Sequence, residues 1–222
     1  MRHDKKRQKL LDEAMALVVA DGIEGLTIAR LANRIGGSVG ALYRYFESKE
    51  ELVFGLQEMA ILDFRSYLEA RVEEHRAAPG TPARVALLAK LMVVLTAYID
   101  HAEVSREMHR LVDHVLSTPE AVLSDDDARA ITERVVGPIL ELVAGIVRQA
   151  VSEGALAAGD AAQRTHIAWA CMHGLDHFRK RDRINPLPLQ LKALLPVAVK
   201  SLLSGWGASA ADLDAAQVLA FR

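Results

Sequence analysis

Thr27-Ile-Ala-Arg-Leu-Ala-Asn-Arg-Ile-Gly-Gly-Ser-Val-Gly-Ala-Leu-Tyr-Arg-Tyr-Phe-Glu-Ser-Lys-Glu-Glu-Leu52 holds two short amphipathic segments divided by a glycine pair. Thr27 stands where an N-cap is needed, and Ile28, Leu31, Ala32 and Ile35 follow at the spacing of one apolar helix face. Gly36 and Gly37 break that helix. Ser38 can cap the next, which carries Leu42 and Phe46 one turn apart, and Ser48-Lys-Glu-Glu51 has the spacing of a capping box that opens a fourth helix. Two short helices joined by a glycine turn and docked through their apolar faces form a helix-turn-helix. The second helix of such a unit enters the major groove with its N-terminal residues at base edges. Ser38, Val39, Gly40 and Ala41 are small enough for that approach, and Tyr43, Arg44 and Tyr45 supply hydrogen-bonding side chains. The same spacing also serves as a plain hairpin in all-α proteins, in which Tyr43 or Tyr45 would close the core.

Working outward, a first helix is expected from about Lys5 to Ala20, with Leu10, Ala14, Leu17 and Val18 on one face and Gly22 suited to its C-terminal turn. The fourth helix runs to about Arg76, where Pro79-Gly80 ends it, and Thr81-Pro82 starts another in the N-cap, N1-proline pattern. Further helices are expected at about 82–101, 103–117, 125–153, 160–181 and 188–205. Ser124 with Asp125, Asp126 and Asp127 places carboxylates at the positive end of the long one, and Gly137-Pro138 should kink or split it. No period-2 alternation or hairpin dipeptide is present. The expected fold is all-α: an N-terminal three-helix helix-turn-helix domain over 1–47 and a larger helical domain over 48–222, divided where the composition shifts near Phe46 to Ser48.

The 222 residues, 51% hydrophobic and 25% charged, can build a packed core, which excludes fibrous and low-complexity classes. A single cysteine, Cys171, excludes a disulfide framework. The longest apolar run, Leu91 to Ile99, is short for a bilayer span and Met1 to Lys9 is not followed by a signal-peptide pattern, so no membrane association and a cytoplasmic location are expected. The net charge of −2 conceals an asymmetry, because residues 1–46 hold eight basic against five acidic residues. A basic end on an acidic body points to a polyanion at that end, unless the terminus is simply a solvated tail.

The stretch from Thr27 to Leu52 closely resembles the N-terminal signature of the TetR (tetracycline-repressor) family of bacterial transcriptional regulators, and the resemblance covers about Lys5 to Leu52. It implies that Thr27 contacts phosphate, that Ser38, Val39, Gly40 and Ala41 read bases, and that Tyr43, Tyr45 and Lys49 grip phosphates, with Arg44 as an additional contact. Lys5, Lys6 and Arg7 would track the backbone as a flexible arm. Gly37 departs from the branched apolar residue common in this turn, and Ile35 replaces a commoner alanine. The resemblance further implies a double-stranded operator as partner, a small-molecule effector bound in the C-terminal domain, and a four-helix dimer bundle made by the last two long helices.

Two features of the body bear on this. From Leu187 to Trp206, apolar residues including Leu195 and Leu202 occupy nearly every angle of the helix, so it must be covered on all sides. A homodimer through about 160–181 and 188–205 would cover it; a tail after Trp206 folded over a monomer is the alternative. Phe64, Met92, Met108, His109, Trp169, Met172, His173 and His177 mark candidate effector-lining positions, and they suit a mostly apolar ligand with one or two polar handles. His173 and His177 lie one turn apart, but Asp176 points elsewhere on the helix, so no metal and no cofactor are expected. The rival reading is a small helical metal-dependent enzyme using His173, Asp176 and His177. No phosphate loop, nucleophile-base pair or two-carboxylate pattern supports it, and the chain is read as a non-enzymatic regulator.

Overall fold

The computed structural model describes residues 2–75, 77–117, 129 and 132–221, and every described element is helical. The helices are α1 (Arg2–Asp21), α2 (Ile28–Arg34), α3 (Val39–Leu42), α4 (Lys49–Glu74), α5 (Ala83–Val104), α6 (Arg106–Ser117), α7 (Gly137–Ser152), α8 (Ala161–Phe178), α9 (Leu191–Gly205) and α10 (Ala210–Ala220). The chain forms two compact units, one of Met1–Phe64 with Val104–Val135 and one of Arg65–Glu103 with Val136–Arg222. These units cut the chain differently from the composition shift at 47/48. Leu52, Val53, Leu56 and Ala60 of α4, and Leu111 of α6, are buried in one cluster with α1, α2 and Phe46.

In the first unit, Leu10, Leu11, Ala14, Met15, Leu17 and Val18 give α1 a continuous buried face. Gly22 ends it at φ +73°, and Leu26, fully buried, turns the chain into α2. After α2, Gly36 takes φ +63° and the Gly37 N–H returns to the Ala32 carbonyl at 2.9 Å, so the glycine pair both ends the helix and makes the turn. The third helix is shorter than its sequence spacing predicts. Only Val39–Leu42 is α-helical, and the Tyr45 and Phe46 N–H groups both bond to the Leu42 carbonyl, a turn that places Phe46 in the core. Lys5, Lys6 and Arg7 are not a loose arm either: α1 begins at Arg2.

In the second unit α5 is the central helix, buried along nearly its whole length from Val85 to Ala102. It and the stretch Thr132–Ser152 are long and apolar enough to cross a membrane, but 72% of the α5 window is buried inside the protein, as in a core helix. The predicted break at Gly137-Pro138 takes the form of a π-helical turn, Thr132–Val136, directly before α7. Pro138 has no N–H to continue the ladder. Ser124, Asp125, Asp126 and Asp127 lie outside the described residues. α8 packs on α7 and α9, and the Ala157 N–H bonds the Trp206 carbonyl at 2.8 Å.

The tail expected after Trp206 is a helix. Ser209 caps α10 by accepting from the Asp212 N–H at 3.1 Å, Leu213, Ala216 and Ala220 bury its inner face, and Arg84–Asp212 and Lys200–Asp214 pairs at 3.6 and 2.7 Å hold it. The Ser-x-x-Asp spacing at 209–212 was the available signal.

Candidate nucleic-acid interface

Each segment of the helix-turn-helix is started by a side chain that supplies a missing hydrogen bond. Thr27 Oγ1 accepts from the Arg30 N–H at 3.2 Å, Ser38 Oγ from the Ala41 N–H at 3.2 Å, and Ser48 Oγ from the Glu51 N–H at 3.1 Å. The Glu51 carboxylate in turn accepts from the Glu47 N–H, one residue before the cap, so the predicted capping box forms its Ser48 half while its return bond is displaced to the preceding residue. Thr27→Ala should therefore cost about 1 kcal/mol of stability in the first unit, read from its urea midpoint, in addition to any loss of DNA contact.

Of the residues predicted to touch DNA, Thr27, Ser38, Val39, Gly40, Tyr43, Arg44 and Lys49 are exposed, while Ala41 and Tyr45 are half-buried. Val39 and Tyr43 are left 41% and 50% exposed. Tyr45 is held from behind: its ring stacks on His3 at 4.7 Å between centroids and the Lys6 ammonium lies 5.8 Å from its centroid.

The ion pairs sort the basic residues into two groups. Arg7 pairs with Glu51 at 3.6 Å and lies over the Phe46 ring, Arg30 pairs with Asp21, and Arg34 pairs with Glu13 at 2.8 Å. Among the described residues Lys5, Lys6, Lys9, Arg44 and Lys49 form no ion pair. A groove of about 500 Å³ beside the Gly36-Gly37 turn is lined by Lys6, Lys9, Arg44 and Tyr45 and by the paired Arg34 and Glu13, which gathers three of these cations, Lys6, Lys9 and Arg44, next to the reading helix. Lys9 is the residue that sequence reasoning passed over. Its place in the groove follows from helix packing, which spacing does not display. At the start of α4, backbone N–H groups and then Ser48 hold the Glu50 carboxyl below its ordinary value, the mark of a helix end that favours anions.

The candidate effector residues fall in both units. In the first, His109 is buried, Phe64 is half-buried, and Met108 packs against the core that seats α1. In the second, Met92 and Met172 are buried, Trp169 and His173 are half-buried, and His177 is exposed. His173 Nδ1 lies 3.0 Å from the Tyr98 hydroxyl and its ring is 4.7 Å from that of His177. Tyr98 is a partner that sequence reasoning missed, since it lies 75 residues away. Asp176 accepts from Arg179 Nε at 2.9 Å, so the His173, Asp176 and His177 set of the enzyme reading is not gathered on one centre. Burial pushes the Cys171 thiol above its usual range, which leaves it a poor nucleophile. Also missed was Gln57: it is 1% exposed, and neither polar atom of its amide has a hydrogen-bond partner among the described residues.

Comparison with known proteins places this geometry. Residues 10–56 match the family model described as bacterial regulatory proteins, tetR family. The nucleoid occlusion factor SlmA of Actinobacillus pleuropneumoniae serotype 5b is 32% identical over 78 residues, which is 35% of this chain and 39% of that protein. The chain thus matches well under half the length of this curated relative. In fold, a protein of unknown function from Rhodococcus sp. RHA1 superposes with a TM-score of 0.69 at 24% identity, covering 90% of this chain and 94% of its own. The regulator FadR of Bacillus subtilis, solved in complex with stearoyl-CoA, gives a TM-score of 0.65 at 18% identity, covering 89% and 98%. The all-helical architecture is therefore shared over nearly the whole chain. Residues 10–56 are thus similar to the N-terminal domain of the tetR family of bacterial regulatory proteins.

Proposed function

We propose that this protein is a cytoplasmic, ligand-responsive repressor that binds a palindromic operator as a homodimer and is released by a small, mostly apolar effector. The observation that carries the reading is the division among the basic residues: Arg7, Arg30 and Arg34 are ion-paired, while Lys5, Lys6, Lys9, Arg44 and Lys49 form no ion pair among the described residues, and three of them, Lys6, Lys9 and Arg44, line the groove beside the reading helix. An unpaired, clustered set of cations beside exposed Tyr43 and Val39 suits a phosphate backbone with base edges behind it. Thr27, Tyr43, Tyr45 and Lys49 are assigned to phosphates, Ser38 to Ala41 to bases, and Arg44 to either. The reading head proper is taken as residues 1–47.

Dimerisation through 160–181 and 188–205 is supported by what α8, α9 and the segment between them leave uncovered. Ile167, Phe178, Ile184 and Val197 are each more than half exposed, whereas Leu191, Val199 and Leu203 fill the core of the unit. Two heads carried by such a dimer would meet half-sites about 34 Å apart. The bound stearoyl-CoA of FadR supports an effector role for the body of this fold. The effector would act by shifting α4, which carries Lys49, and so altering the half-site spacing.

The test is duplex binding against salt: log affinity should fall steeply with log salt, by a slope of about −0.9 per phosphate contacted. A flat dependence overturns the reading. The double variant Ile167→Glu, Val197→Glu should sediment as a monomer, because burying unpaired carboxylates in the interface costs several kcal/mol, on the order of 3 each. A folded dimer from this variant places the interface elsewhere.

A further inference from the structure

Val53, Gln57, Ile61 and Phe64 follow one another at helical spacing along a single face of α4. Val53 belongs to the core that seats α1, Ile61 is also buried, and Phe64 is half-buried. Between them stands the Gln57 carboxamide, shut off from solvent, with Oε1 and Nε2 both lacking partners among the described residues. A buried amide is normally satisfied, because the water it gave up must be replaced. Here nothing replaces it. The neighbouring charge is already spoken for, since Glu58 is paired with Arg134 at 2.8 Å.

We infer that Gln57 is the polar anchor of the effector, and that the effector presents a hydrogen-bond donor and acceptor side by side, as an uncharged amide, lactam or carboxylic acid group does. The inference rests on the ligand-responsive reading above. A planar carboxamide offers one acceptor and one donor edge, so it pairs fully with a group of the same pattern and only half with an ester or ether. An uncharged anchor provides no countercharge, which disfavours an ionised head in this position. The remainder of the face, Val53, Ile61 and Phe64, is apolar and suits an alkyl or aromatic body. Because the amide is shut off from solvent, a ligand reaches it only by parting the packing of α4. The first contacts disturbed are those of Val53 and Leu56 with the core that holds α1 and the reading helices.

The experiment uses the intact chain, with octanamide as the probe and methyl octanoate, which only accepts, as its control. In 15N-labelled protein the Gln57 side-chain amide signals, identified by their loss in Gln57→Met, should shift saturably with octanamide and much less with the ester. Gln57→Met is nearly isosteric and removes the unsatisfied groups, so it should raise Tm by about 2–6 °C while binding octanamide about 10-fold more weakly. Gln57→Leu is measured beside it, so that a packing fault peculiar to one side chain does not decide the result. An unchanged or lower Tm in both variants shows the amide to be bonded within the protein and overturns the inference. So does an absent shift, or an equal response to the two probes. Failure of the regulator reading shows separately, as an absence of duplex binding by the parent protein.

Discussion

Lys49→Glu is expected to weaken binding to duplex DNA by about 10- to 100-fold at ordinary ionic strength, the loss of a charge-assisted phosphate contact together with repulsion from the reversed charge. Lys49 is exposed, opens α4 and has no ion-pair partner among the described residues, so reversing its charge breaks no ion pair of the fold. The effect should be the same for operator and for unrelated sequences, and the slope of log affinity against log salt should become shallower by about 1. Fluorescence anisotropy with two labelled duplexes at several salt concentrations measures all three quantities. A variant that loses only operator binding would make Lys49 a base contact. One that binds both duplexes like the parent would remove it from the interface. Arg34→Gln is the internal comparison: its charge is already taken by Glu13 at 2.8 Å, so DNA affinity should change far less.

The second large effect is structural. Gly55→Val should destabilise the first unit by about 3 kcal/mol and lower its Tm by about 6–12 °C. Gly55 sits inside α4, where glycine normally costs helix stability, and its place is explained by approach to α1. A Cβ at this position would lie 2.8 Å from Leu11 Cδ2 and 3.4 Å from Arg7 Nη2. A methyl can be taken up if the end of Leu11 turns aside, so Gly55→Ala should be close to neutral, the gain in helix propensity offsetting the strain. A β-branched side chain cannot be accommodated that way. It must push α1 from α4, and with it the Arg7–Glu51 pair and the contact of Arg7 over the Phe46 ring. Thermal unfolding of the two variants checks this. Equal Tm for Gly55→Val and the parent would mean that α1 and α4 are further apart than described.

The extent of what could be read from sequence differs between the two ends of the chain, and particular residues show why. Thr27, Ser38 and Ser48 are read correctly as caps because an N-cap acts within three residues, and Gly22 and Gly36 are read correctly as stops because positive φ is a property of one residue. The apolar faces of α1 and α2 follow from period alone. The shortness of α3 does not: Phe46 fits the helical spacing, but the core of the first unit draws it in through a turn instead. Helix α10 was legible from Ser209 and Asp212 and was overlooked for want of length.

What the amino-acid sequence determined by itself is the helical class, the helix-turn-helix and the family resemblance of its N-terminal segment, all of which rest on interactions within a few residues or on a specific string of them. Tertiary structure alone decided that Arg7, Arg30 and Arg34 are neutralised while Lys9, Arg44 and Lys49 are not, and that His173 is bonded to Tyr98. It also decided that Gln57 is buried without a partner among the described residues and that Gly55 exists to let Leu11 approach. Each of these depends on which residues distant in sequence are brought within about 4 Å, the range over which hydrogen bonds, ion pairs and steric contacts act. Periodicity specifies the face a side chain lies on, but not the atom that meets it there.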